Sequence, residues 1–162
     1  MKPLNTTLLD LDAALGPNAR LLIGGGLGLY LKQGHLRSIN ARTRLPFERL
    51  PIARTTQDID LFLRAEVIAS QTEVSRYRHV LDSLGFTVVP GAEWLKFQRN
   101  IRGSKVLLDI MVGPLGQHAA QVASKESRVR PKGLGGKSGL HAFATDEALG
   151  IERPRHVIAR WA

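Results

Sequence analysis

Leu8, Leu11 and Leu15 recur at helical spacing behind Asn5 and Thr6, both good N-caps, and Gly16-Pro17 stops the pattern, which predicts a short first helix. Ala19 to Ile23 reads as a buried strand that runs into Gly24, Gly25 and Gly26, after which Leu27, Tyr30 and Leu31 fit one helical face. From Gly34 to Thr55 periodicity is lost and Pro46 and Pro51 intervene, which predicts a long loop. Gln57 to Leu63 alternates as a half-buried strand does. Ser70 and Glu73 form a capping box for a helix whose apolar face is Val74, Tyr77, Val80, Leu81 and Leu84, closed by Gly85.

The period then changes from helical to alternating over Phe86 to Val89, Trp94 to Ile101 and Lys105 to Val112, with Arg102, Gly103 and Ser104 as a turn. Trp94 and Phe97 are expected to pack in this sheet. Residues 114–126 suit a helix, Arg128 to Gly139 reads as an irregular basic loop, and residues 145–161 hold one or two short helices broken at Pro154. The element order predicts an α/β (α+β) fold with a mixed β-sheet flanked by helices. At 162 residues the expectation is a single domain over 1–162, with its core in 19–112 and a short helical C-terminal segment over 113–162.

Composition narrows the chemistry. Without cysteine, disulfides, zinc fingers, iron–sulfur clusters and thiol nucleophiles are excluded, so any metal is held by oxygen or imidazole. No apolar run spans a bilayer, and Asp10 and Asp12 interrupt the stretch a signal peptide would need, so the expectation is no membrane partner and a cytoplasmic location. The net charge of +9 favours polyanions. It is concentrated in two segments: Lys32, Arg37, Arg42, Arg44, Arg49 and Arg54, then Lys125, Arg128, Arg130, Lys132 and Lys137. Solvated charge explains one such cluster; two point to a nucleic-acid or nucleotide partner.

Asp58 and Asp60 alternate with Ile59 and Leu61, so a strand places both carboxylates on one face. Mutual repulsion disfavours that arrangement unless a cation or solvent screens it, and oxygen ligands of this kind suit Mg²⁺ or Mn²⁺. Asp109, inside the apolar VLLDIMV, needs a partner. If its strand lies beside that of Asp58 and Asp60, the trio is able to hold two divalent ions for phosphoryl or nucleotidyl transfer. The glycine turn offers backbone N–H groups to phosphate, yet Leu29 stands where a dinucleotide fingerprint has its third glycine. PKGLGGKS fails as a P-loop, with Pro131 in place of the first glycine and no apolar strand before it. The five histidines show no ligand spacing and read as ordinary surface or loop residues. Lys96, on the opposite strand face from Leu95 and Phe97, reads as solvated, with phosphate within its reach.

GGGLGL behind an apolar strand, then RTTQDIDLFL, then LLDIMV, together resemble the minimal nucleotidyltransferase fold. Within that superfamily the GGxxL and RxTxDID elements are most similar to the AbiEii-type toxins of type IV toxin–antitoxin systems. The resemblance covers residues 19–112. It implies that Gly25 and Gly26 contact the NTP, that Asp58 and Asp60 ligate Mg²⁺, and that Asp109 completes the metal site and activates the acceptor hydroxyl. Arg54 and Thr56 fall on the RxT positions. Two departures stand out: the loop before the acid pair is long, and the larger helical C-terminal region with its lysine-bearing helix is not found. The acceptor-binding part is then reduced or supplied by an antitoxin or other protein partner. The function this implies is transfer of a nucleoside monophosphate to an acceptor, and the basic loops favour RNA, such as tRNA, over a polycationic small molecule. The alternative is a catalytically inactive regulatory or nucleic-acid-binding protein on the same fold, against which the intact acids argue. A plain DNA-binding module lacks a helix-turn-helix signature.

Overall fold

The computed structural model describes residues 2–19, 21–50, 57–134 and 139–146. Its fold is α+β: an open, mixed sheet of eight strands with helices. Helix α1 (Lys2–Leu15) starts earlier than the Asn5/Thr6 caps predict. Proline is tolerated in a first helical turn, so Pro3 does not bar the start, and the Thr7 hydroxyl donates to the Pro3 carbonyl at 2.9 Å. Gly16, at φ +74°, ends the helix. Strand β1 (Leu22–Ile23) is shorter than predicted because only these two residues pair, antiparallel, with β2 (Asp58–Leu63).

Helix α2 (Gly25–Ser38) runs into what the sequence reads as loop, so the irregular segment begins after Ser38 and holds a 3-10 turn at Phe47–Arg49. Two helices follow β2: the short α3 (Ala65–Ala69), and α4 (Gln71–Ser83), whose cap Ser70 accepts from the Glu73 N–H as the capping box predicts. Strands β3 (Thr87–Val88), β4 (Lys96–Ile101) and β5 (Ser104–Val112) form the antiparallel piece. Trp94 lies outside it, in the preceding turn at φ +71°, with its ring 5.2 Å from the Arg78 guanidinium, whereas Phe97 is fully buried in β4.

The C-terminal part departs most from expectation. In place of a helix over 114–126 there is a 3-10 turn (Gly116–Gln121) and then strand β6 (Val122–Lys125). The basic stretch is itself strand β7 (Arg128–Pro131), and β8 (Ala142–Ala144) follows. Glu126 takes φ +56° in a two-residue turn, which lets β6 and β7 pair. Val129 and Pro131 are buried while Arg128 and Arg130 are not, so the basic run is one face of a strand. The helices expected over 145–161 lie almost wholly outside the described residues.

Strand order is β1-β2-β5-β8-β7-β6. The other edge of β5 is shared: β4 pairs along its first six residues, and β8 pairs at Met111 and Val112. One face of this sheet, including Ile59, Leu61, Leu63, Phe97, Leu108, Ile110, Val112, Val129 and Ala142, is buried in a single core with Leu4, Leu11 and Leu15 of α1 and Val74, Tyr77 and Leu81 of α4. An ion pair from Arg99 on β4 to Asp10 on α1, at 2.7 Å, ties the helix to the sheet. No described helix is long and apolar enough to cross a membrane.

Candidate functional site

Alternation in DIDLFL puts Ile59, Leu61 and Leu63 into the core at 3% exposure or less and leaves Asp58, Asp60 and Phe62 on the opposite, open face. Strand β5 runs parallel to β2 with Asp60 opposite Asp109. Residues in register across neighbouring strands share a face, so Asp58, Asp60 and Asp109 stand on the same side of the sheet. On the other edge of β5 the antiparallel register sets Lys96 opposite Asp109. Three strands thus present the row Asp60, Asp109, Lys96, with Asp58 two residues further along β2.

The interactions follow the register. The Lys96 ammonium lies 3.0 Å from Asp109 Oδ1, so the partner that Asp109 requires is a neighbouring lysine; the reading of Lys96 as solvated is corrected. The Asp60 carboxyl is held above its ordinary range, chiefly by burial and then by the charges of Asp109 and Asp58, with Lys96 pulling the other way. The two neighbouring acids are thus close enough to Asp60 to act on its proton.

The glycine turn is fitted against this row. The Gly24 N–H donates to the Asp60 carbonyl at 2.9 Å, and helix α2 begins at the next residue. A Cβ on Gly24 would come within 2.2 Å of the Phe62 ring, and one on Gly25 within 1.7 Å of Asp60 Oδ2. Gly25 also takes φ +57°, so both its conformation and its contact exclude a side chain. Gly25 and Gly26 open the helix with no side-chain cap, leaving first-turn N–H groups of the kind that bind phosphate beside the acids. Because β1 and β2 are antiparallel, the turn is not part of a dinucleotide-binding βαβ unit. Arg54 and Thr56 lie outside the described residues.

The donor set is all oxygen, as Mg²⁺ or Mn²⁺ requires. Among the described residues no three His, Asp or Glu side chains form a ready-made metal cage. Asp58 and Asp60, crowded on one strand face, fit a single divalent ion better than two, since Asp109 is already neutralised by Lys96. One histidine departs from expectation: His141, just before β8, is 3% exposed and neither ring nitrogen has a hydrogen-bond partner among the described residues. Burial, and then the charges of Arg128 and Arg130, push its pKa down to about 4. Compared with family models, curated proteins and solved structures, the chain matches none.

Proposed function

We propose that this protein is a Mg²⁺-dependent nucleotidyltransferase that moves a nucleoside monophosphate from an NTP to an RNA acceptor such as tRNA, similar to the AbiEii-type toxins and acting as a component of a toxin–antitoxin pair. The observation that carries this reading is the open-face row of Asp60 and Asp109, with Asp58 beside it, fitted against a glycine turn that opens a helix. Strands alone do not explain three acids on one face, whereas metal–triphosphate binding does.

A divalent ion held by Asp58 and Asp60 would neutralise charge on the triphosphate. The N–H groups of Gly25 and Gly26 bind phosphate oxygens at the start of α2. Asp109, positioned by its ion pair with Lys96, accepts the acceptor hydroxyl's proton. The hydroxyl oxygen then bonds the α-phosphorus, the bond from that phosphorus to the β-phosphate bridging oxygen breaks, and pyrophosphate leaves. Exposed Arg42, Arg44 and Arg49 supply positive charge for an RNA acceptor.

The test is incubation with each α-labelled NTP, Mg²⁺ and total RNA, reading label covalently attached to RNA. Transfer that disappears in Asp58→Asn and Asp60→Asn supports the proposal, and no transfer from any NTP refutes it. One observation favours a second reading, a nucleotidyltransferase-fold nucleic-acid binder without turnover: the Lys96–Asp109 ion pair leaves one acid fewer for metal. RNA binding without label transfer would identify that case.

A further inference from the structure

The open face of the sheet carries a second row that the acid site does not use. Two residues along β5 from Asp109, Met111 has Phe62 opposite it on β2 and Phe143 opposite it on β8. The same row continues from Phe143 to Arg128 on β7 and from Arg128 to Lys125 on β6. Shared register means a shared face, so Phe143, Arg128 and Lys125 stand on the side of Asp60 and Asp109, one row away, about 7 Å. Arg130, two residues from Arg128, has the same orientation, with its guanidinium on the Leu134 carbonyl. Phe143 is 45% exposed, on the face away from the core that takes in its neighbour Ala142, so core packing does not account for the ring. No carboxylate stands in the row from Met111 to Lys125, although the Glu93 carboxylate is near enough to Arg128 to feel its charge.

We propose that this row is a track for the single-stranded end of a nucleic acid, with the Phe143 ring stacked on a base and Arg128 and Lys125 on flanking phosphates. An open aromatic face beside cations suits single strands, whose bases are free to stack, whereas a duplex hides its base faces. The charge sequence sets a direction. Cations at β6 and β7 hold the phosphates, and the acids lie on the β5 and β2 side, so the terminal hydroxyl is delivered toward Asp109. That delivery rests on the nucleotidyl-transfer reading; binding to the track does not. A second copy of this chain is a poor occupant, because the row would meet its own positive charge.

The test is fluorescence anisotropy, without NTP, of a labelled six-nucleotide RNA, the same sequence as deoxyribose, and the same sequence locked in a hairpin stem. The free strands are expected to bind more tightly than the stem, and the ratio of the RNA to the deoxy form identifies the natural strand. Phe143→Ala is expected to weaken strand binding by about tenfold, and Phe143→Trp to retain it. Arg128→Gln and Lys125→Gln should each flatten the slope of log K against log salt by about 0.7. Thermal melts check that the variants fold. Equal affinity for strand and stem, or a folded Phe143→Ala that binds as the parent does, overturns the track. Because the assay needs no turnover, intact Phe143-dependent binding without label transfer refutes the enzyme alone; label transfer with Phe143-independent binding refutes the track alone.

Discussion

On the proposed function, Asp60 is the residue at which activity and stability pull apart. Burial, Asp109 and Asp58 raise its pKa, so the folded state holds the proton more tightly than the unfolded chain does. The protonated group favours the fold at low pH, and that contribution is lost as pH rises through the folded value. Above that value the carboxylate's charge costs stability, so Asp60→Asn is expected to raise Tm and, on the proposed function, to abolish nucleotide transfer. Equal loss of both would make Asp60 a structural residue. His141 has the opposite consequence: its pKa falls to about 4, so between its ordinary value of 6.5 and about 4 the unfolded chain binds the proton and the fold does not. Its contribution is present above 6.5 and declines as pH drops toward 4. Urea unfolding of the parent and of His141→Gln across that window should show a steeper decline in the parent. Gly25 offers a steric test against Gly16, which also has positive φ but has open space where a Cβ would stand. Gly16→Ala should cost about 1 kcal/mol, the expense of a left-handed alanine, and Gly25→Ala clearly more, because its methyl displaces the Asp60 carboxylate.

Among the elements, the hairpin of β4 and β5 shows how far a sequence reading reaches. The turn at Arg102-Gly103 sets Ile101 opposite Ser104, and counting five residues down each strand sets Lys96 opposite Asp109. That pairing is legible in the sequence only with a turn of two residues rather than three. It predicts that Lys96→Met destabilises by about 1 kcal/mol, since the pair is partly solvated, and that adding Asp109→Asn recovers most of the loss. Denaturant titration of the double-mutant cycle measures it. The acid row is legible from the alternation in β2 and the lone Asp in β5, because period 2 fixes the face of each residue. The β6–β7 hairpin is not, since its strands are short and its charged residues mask the alternation of Val129 and Pro131. Strand β8 has only three residues, and long-range pairing with β5 and β7 defines it rather than local pattern. His141 is likewise illegible, because its backbone is held by a contact distant in sequence, its N–H donating to the Trp94 carbonyl.

At the scale of the whole molecule, the sheet divides labour between its faces: one is buried in the core, and the other sets acids on β2 and β5 and cations on β7 and β6. The acids and Lys96 come from residues 58–109, whereas the cationic row needs strands from 122–144. Strand β5 pairs over six residues with each of β2 and β4, but over only two with β8. Native-state hydrogen exchange is therefore expected to show β5 amides facing β2 and β4 exchanging more slowly than amides of β6, β7 and β8, which open as a separate unit. Uniform protection would mean the sheet opens all at once. The late position of β8 also bears on synthesis. A growing chain makes residues 58–109 before Phe143, so the acids precede the strand that would present a nucleic acid to them. If the acceptor is tRNA, the ribosome making this protein is crowded with it, and the order of the strands withholds the track until after the acids have been made.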